Sequence, residues 1–256
     1  MQRETKQIRL GFLYPGYAAE DDYPLLAMNA GQEIIVHVVH TSQDEDAHRV
    51  DALLDLGSLS RLLEGAKVLR DQAVDAVVWA CTSGSFVYGW EGARQQVEAI
   101  AQVTGVPASS TPFAFVDATR ALGISKVAVS ATYPEDVSNY FRAFLAAGGI
   151  EVVHMGYHGI LTAEEVGTLG RAQVEEMIRR DDHPSAEAIL LPDTALHSAA
   201  WLERLEEVAG KPVLTANQVS FWKALRLAGD TCRYIGLGSL LRSDSDTTIP
   251  GHGGRS

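Results

Sequence analysis

The strongest constraint on this chain is that its two halves resemble each other. Residues 75–84 (DAVVWACTSG) and 97–123 (VEAIAQVTGVPASSTPFAFVDATRALG) are similar to residues 187–196 (EAILLPDTAL) and 202–229 (LERLEEVAGKPVLTANQVSFWKALRLAG). Gly105-Val106-Pro107 matches Gly210-Lys211-Pro212 at an offset of 105 residues, and Gly123 matches Gly229 at 106. Aligning the preceding apolar runs sets Cys81 against Asp193, 112 residues on, so the first copy has a longer connection there. A weaker echo relates Ile8–Pro15 to Ser125–Thr132. Tandem copies of this kind predict two similar lobes related by a pseudo-twofold axis, with equivalent strand ends facing one another. The alternative is chance likeness between generic α/β segments.

Each copy alternates short apolar runs with longer segments of helical spacing. Eight candidate strands are Ile8–Tyr14, Ile34–His40, Ala76–Ala80, Val106–Ser109, Lys126–Ser130, Glu151–Met155, Ala188–Leu191 and Pro212–Thr215. Between most of them, Leu59–Arg70, Ala93–Thr104, Asp136–Ala147, Thr162–Arg180 and Ala199–Ala209 carry apolar residues three and four apart. The strands are apolar throughout, the pattern of parallel sheets covered by helices on both faces. The fold class read here is therefore α/β, two pseudo-twofold-related lobes, each a mainly parallel sheet flanked by helices. Lobe boundaries fall at residues 1–117 and 118–218, followed by a C-terminal helix and end segment over 219–241 and a polar tail over 242–256 read as disordered.

Charge and cysteine usage exclude several partners. With 21 basic and 33 acidic residues the chain carries a net charge of −12, which argues against nucleic acid and anionic membrane surfaces. Two cysteines, Cys81 and Cys232, are too few for a disulfide framework or a four-thiolate metal site, so a reducing cytoplasm is the expected compartment. No apolar stretch reaches membrane-spanning length. His37 and His40 on one predicted strand would point to opposite faces, and no glycine-rich nucleotide cradle follows the first strand, so neither a metal nor a nucleotide cofactor is expected.

Polar, titratable groups sit at equivalent strand ends. Cys81-Thr82-Ser83-Gly84-Ser85 follows Ala76–Ala80 where a strand hands over to a helix. A thiol near a helix N-terminus has its thiolate favoured by the macrodipole, and Thr82, Ser83 and free N–H groups offer donors to a carboxylate. The plain alternative is a buried cysteine beside capping hydroxyls. In the second copy Pro192-Asp193-Thr194 takes the same place, where Asp193 is either an acid facing Cys81 or the N-cap of a helix over 194–209. Tyr133, past the fifth strand, and Tyr14-Pro15-Gly16, past the first, are candidate cleft residues, as is Asn217 after the last.

The motifs Cys81-Thr82-Ser83-Gly84-Ser85, Thr215-Ala216-Asn217-Gln218 and Phe221-Trp222-Lys223-Ala224-Leu225-Arg226 resemble the maleate isomerase and arylmalonate decarboxylase branch of the Asp/Glu racemase superfamily over roughly Ile8 to Leu240. The resemblance implies two pseudo-symmetric lobes, a C-terminal helix returning to the first lobe, and cofactor-independent chemistry beside the carboxylate of a small acid. It makes Cys81 the first of the family's two cysteine positions and places Asp193 at the second, a departure from the pattern. Thr82, Ser83 and Tyr133 become donors to a carboxylate or enediolate, with Thr194, Asn217, Tyr14, Pro15 and Gly16 contacting substrate. The expected activity is maleate cis-trans isomerisation with Cys81 as nucleophile and Asp193 as acid. Decarboxylation of an arylmalonate type is the alternative, then amino-acid racemisation, then non-enzymatic sensing of a carboxylate. A homo-oligomer is compatible with all of these.

Overall fold

A computed structural model describes residues 7–31 and 33–243. The polar tail read as disordered lies outside the described residues from position 244 onward. The first half runs β1 (Ile8–Pro15), α1 (Asp22–Ala30), β2 (Ile34–Thr41), α2 (Val50–Leu56), α3 (Leu59–Asp71), β3 (Ala76–Trp79), α4 (Ser83–Phe86), α5 (Gly89–Thr104), β4 (Ala108–Ser110) and α6 (Thr111–Ala121). The second runs β5 (Lys126–Ala131), α7 (Glu135–Ala147), β6 (Glu151–Tyr157), α8 (Ala163–Gly167), α9 (Arg171–Asp181), β7 (Ala188–Leu191), α10 (Leu202–Ala209), β8 (Val213–Thr215), α11 (Ala216–Leu227) and α12 (Gly238–Arg242).

Two four-stranded sheets result, ordered β2-β1-β3-β4 and β6-β5-β7-β8. Every strand pair is parallel, with Leu10 opposite Ala76 in one sheet and Val127 opposite Ala188 in the other. The two orders are the same under exchange of copies, so the echo between Ile8–Pro15 and Ser125–Thr132 is that of the two central strands. Alternation within a strand explains why both sequences read as unbroken apolar runs. In β5, Val127, Val129 and Ala131 join the core shared by the lobes, while Ala128 turns to a separate outer core with Val174 and Ile178. Likewise Leu190 of β7 faces inward and Ile189 outward.

Among the elements that differ from their sequence reading, three have a clear local cause. The fourth strand starts at Ala108 rather than Val106, because Pro107 has no N–H to give a ladder. The long helix over 162–180 is two: Thr162 caps α8 through its Oγ1, and after Gly167 the chain extends through Gly170 before α9 starts. The helix over 194–209 starts only at Leu202, and Asp193 caps a tight turn instead, its Oδ1 accepting from the Ala195 N–H at 3.0 Å.

The lobes are joined through α6 and α11, helices that begin at Thr111 and Ala216, the same 105-residue offset found in the sequence. They pack on each other, with Thr111 Oγ1 2.8 Å from Ser220 Oγ and the buried Lys223 ammonium 2.6 Å from Asp117. Although α11 follows β8 of the second sheet, it lies against α1, β1, β3 and β4 of the first. Aromatic rings of both halves fill the seam: Phe86 meets Tyr133 and Phe141, and Trp90 and Phe113 meet Phe144.

Behind the second sheet, Asp181 is buried under β5 and β6. Its Oδ2 accepts from Ser130 Oγ at 2.5 Å and lies 2.7 Å from His158 Nε2. Burial opposes ionisation, but the bonds from His158 and Ser130 outweigh it and hold the carboxyl below its usual range. A depressed folded pKa supplies stability above the unfolded value of about 3.9 and loses it as pH falls through the folded value. Asp181→Asn is therefore expected to lower the thermal midpoint at pH 7 by about 5 °C, from bonds to a charged acceptor worth roughly 1.5–3 kcal/mol. In parallel melts the gap to the wild-type protein should close below pH 4; a constant gap would contradict this assignment.

Candidate active site

Cys81 stands one residue past Ala80, where β3 has ended and the single turn α4 begins. It is 3% exposed. The Gly84 N–H donates to its Sγ at 3.3 Å, and Ser83 Oγ lies 3.9 Å away. A Cβ on Gly84 would sit 3.1 Å from that sulfur, so glycine lets the backbone pass this close without displacing Sγ by a few tenths of an ångström. The turn is clamped from behind by buried Gln96 of α5, whose Nε2 donates to the carbonyls of Gly57 at 2.7 Å and Gly84 at 2.9 Å. Thr82 is fully buried, and among the described residues its Oγ1 interacts only loosely, with the Tyr133 phenol.

Burial pushes the Cys81 thiol up to about 12; the Gly84 N–H and Ser83 hydroxyl pull it down by less, and the charge of Asp193 adds to the rise. The expectation of a thiolate stabilised by a helix dipole is thereby corrected. With only four residues, α4 has no macrodipole to match the desolvation of a buried sulfur.

The second lobe brings Asp193, 4% exposed, two residues past the end of β7. Thr132, past β5, donates to its Oδ2. His48 comes from the first lobe, on the loop between β2 and α2, and its Nε2 lies 3.7 Å from that same Oδ2. This loop is strapped across the seam. The His48 N–H donates to the Leu161 carbonyl at 2.7 Å, and the Asp46 carboxylate accepts from the N–H groups of Ala163 and Glu164 at the start of α8.

Between them lies a cleft walled by Tyr14, Gly16, His48, Cys81, Ser83 and Asp193, holding a cavity of about 40 Å³. That is room for about one water, so the cleft is closed down on itself. Pro15 and Thr194 also line it. Tyr14 spans the lobes: its hydroxyl donates to the Thr194 carbonyl at 2.9 Å and accepts from the Ala19 N–H at 3.0 Å. Gly16 has a φ of 60°, in the left-handed region, and a Cβ there would run into the Gln43 amide. Apolar wall is supplied by Leu53, Leu56 and small alanines, and no lysine or arginine lines the cleft among the described residues.

The sequence-derived site residues divide into three groups. Cys81, Ser83, Asp193, Thr194, Tyr14, Pro15 and Gly16 meet at the cleft. Thr82 and Tyr133 are fully buried outside its wall, and the Tyr133 hydroxyl donates to the Pro192 carbonyl at 3.1 Å. Burial raises the Tyr133 phenol well above its usual value, with Asp193 and Cys81 adding to the effect. Asn217 is not a cleft residue. Its Nδ2 donates to Asp22 Oδ2 at 3.0 Å and the Thr194 carbonyl at 3.1 Å, and its Oδ1 accepts from Tyr23 at 3.0 Å, so its amide is used in holding α11 to the seam.

His48, Thr132 and Gln96 escaped the sequence reading. His48 and Asp193 are far apart in the chain and on different lobes, and neither copy of the repeat contains the loop that carries His48. Nothing in the spacing of histidines marks it.

The arylmalonate decarboxylase family model matches residues 56–241. The arylmalonate decarboxylase of Bordetella bronchiseptica is 28% identical over 173 residues, 67% of this chain and 72% of that one. A maleate isomerase of Pseudomonas putida, solved as a cysteine-to-alanine variant with maleate, has a TM-score of 0.85 at 22% identity, covering 92% of this chain and 97% of its own. The maleate cis-trans isomerase of Nocardia farcinica, solved as a cysteine-to-serine mutant with a covalently bound succinylcysteine intermediate, has a TM-score of 0.81 at 24% identity, covering 92% and 98%. Both structures share the fold of this chain.

The buried thiol has a consequence in alkaline solution. A difference titration at 240 nm between wild type and Cys81→Ser should show no thiolate step below about pH 10; a step near pH 7 would contradict the raised value. Because the folded value of about 12 lies above the ordinary 9.0, folding favours the protonated form. Its contribution is whole below pH 9 and is lost as pH rises toward 12, at up to roughly 1.4 kcal/mol per pH unit.

Proposed function

We propose that this chain, which belongs to the arylmalonate decarboxylase family, is an enzyme acting beside the carboxylate of a small carboxylic acid, as a cis-trans isomerase of maleate type with Cys81 as nucleophile. The observation carrying this reading is the cleft shared by Cys81 of one lobe and Asp193 of the other. A nucleophile and a proton carrier on opposite walls suit reversible addition to a double bond.

Substrate carboxylate has donors waiting beside the thiol. Ser83 lines the cleft beside Cys81 and offers its hydroxyl. Fixed donors aimed at a developing enediolate are worth roughly 3–4 kcal/mol each in the transition state.

The raised thiol value shapes the first step. Cys81 starts as a thiol, so what adds to the alkene is S–H in two parts. Sγ bonds to one alkene carbon as its proton passes to Asp193, and the π pair moves onto the adjacent carboxylate as an enediolate. Asp193 then gives that proton to the second carbon, leaving a succinyl thioether. Rotation about the new single bond, removal of a proton by Asp193 and departure of the sulfur give the trans acid and restore the thiol. The succinylcysteine held by the Nocardia relative is the intermediate this sequence passes through.

Decarboxylation is the second reading, favoured by the family match and by the apolar side of the cleft at Leu53 and Leu56, where a departing carboxylate loses its hydration. Proton NMR in deuterated water separates the two. Maleate giving fumarate supports the isomerase; loss of one carboxylate from an aryl- or alkylmalonate supports the decarboxylase, and inactivity toward both would overturn the proposal. Under the isomerase reading Cys81→Ser should lower turnover at least 1000-fold while thermal stability changes by no more than about 1–2 kcal/mol. Asp193→Asn, which can still cap the Ala195 turn, should cost about 100-fold or more.

A further inference from the structure

We propose that His48 is the positioning residue that completes the proton carrier: the proton leaving Cys81 is held between His48 Nε2 and Asp193 Oδ2 until the substrate carbon takes it. The inference rests on the isomerase reading for the reaction it serves, and on the geometry of the seam for the pair itself.

The ring of His48 has one orientation of its protons that satisfies its neighbours. Nδ1 lies 2.9 Å from the Ile160 carbonyl. A carbonyl can only accept, so Nδ1 carries a proton, which leaves Nε2 as the ring atom that gains or loses one. Nε2 points at Asp193 Oδ2, 3.7 Å away, with both side chains 5% exposed. The other positions on Asp193 are taken: Oδ1 accepts from the Ala195 N–H, and Oδ2 from Thr132. At 3.7 Å the two atoms are in ion-pair range but not hydrogen-bonded, so they share a proton once they draw together by about 0.9 Å to the roughly 2.7–2.9 Å of a charge-assisted hydrogen bond.

The groups facing this ring are few. Asp193 approaches from the end of β7, and Tyr133, past β5, packs edge-on with ring centroids 4.8 Å apart. Glu45 and Asp46 share its own loop, where Glu45 is bound to Arg49 and Asp46 to the start of α8. Asp193 is thus the acid that Nε2 meets. Because His48 belongs to the first lobe and the carbonyl that fixes its ring belongs to the second, the pair exists only while the strap is closed across the seam. Proton transfer is thereby confined to the closed cleft, where water cannot intercept the enediolate.

The chemistry balances without a further reactant. The proton that leaves Sγ rests on the pair while the S–C bond forms, and moves to carbon as the enediolate collapses. On the return it is withdrawn from the same carbon and goes back to sulfur.

Two measurements on the full chain test this. Long-range nitrogen–proton NMR of the imidazole should show Nδ1 protonated, and Asp193→Asn should move the Nε2 resonance while leaving Nδ1 in place. A ring protonated at Nε2 alone, or an Nε2 resonance indifferent to Asp193→Asn, would overturn the pair whether or not the protein turns over maleate. In maleate assays, His48→Asn keeps a donor for the Ile160 carbonyl yet carries no proton. It should lower kcat about 100-fold with KM changed less than threefold, and raise the solvent deuterium isotope effect. Loss through KM alone, or an unchanged isotope effect, would reduce His48 to a structural strap. An inactive wild-type protein would instead count against the isomerase reading and leave the pair to the ring spectra.

Discussion

The packing of α6 on α11 is the contact on which the cleft depends. Each helix leaves the end of its own fourth strand, and their mutual burial turns the carboxyl edges of the two sheets toward each other. The Thr111–Ser220 contact and the partly buried pair of Lys223 with Asp117 set the register of that crossing. A buried ion pair adds little net stability but tolerates few alternatives, since losing one partner strands the other charge away from water. Were the helices to slide, the ends of β3 and β7 would separate, and with them Cys81 and Asp193. Duplication thus produces the site by geometry: the same position of one ancestral unit is presented twice, and divergence at that position makes one wall a thiol and the other a carboxyl.

The site trades reactivity at rest for control. Its sulfur is held as a thiol by burial, and its carboxyl is pinned by a turn N–H and a threonine hydroxyl. Its cavity has room for little more than a water. Both groups are thereby kept from bulk water beneath the strap that carries His48, with the Ser83 hydroxyl beside the sulfur. The tight backbone at Gly57 and Gly84 and the Gln96 clamp serve this arrangement by keeping the sulfur fixed.

Much of this was legible in the sequence, for identifiable reasons. The unbroken apolar runs announced parallel sheets because both faces of each are covered, and the 105-residue offset recurs as the relation between α6 and α11. Cys81 and Asp193 were visible because strand ends are where a parallel sheet exposes polar groups. What failed was whatever depended on burial or on the partner lobe. The thiol looked activated because a following helix was assumed to be long enough to have a dipole, and it is one turn. Asn217 looked available because its amide is polar, whereas the seam consumes every donor it has. His48 was invisible because its meaning lies wholly in Ile160 and Asp193, residues of another lobe that no local pattern connects to it.

Competition between the two cysteines for bromoacetate, a small carboxylate that is also an electrophile, tests most directly whether the cleft gathers a carboxylate beside the thiol. Cys232 is exposed and Cys81 is buried, so neutral iodoacetamide should label Cys232 first. With bromoacetate at neutral pH, peptide mapping should find the carboxymethyl group on Cys81 ahead of Cys232, and excess malonate should suppress it at Cys81 alone. Preference for Cys232 with both reagents would mean that no carboxylate is held against the thiol, and would contradict an active site at the seam.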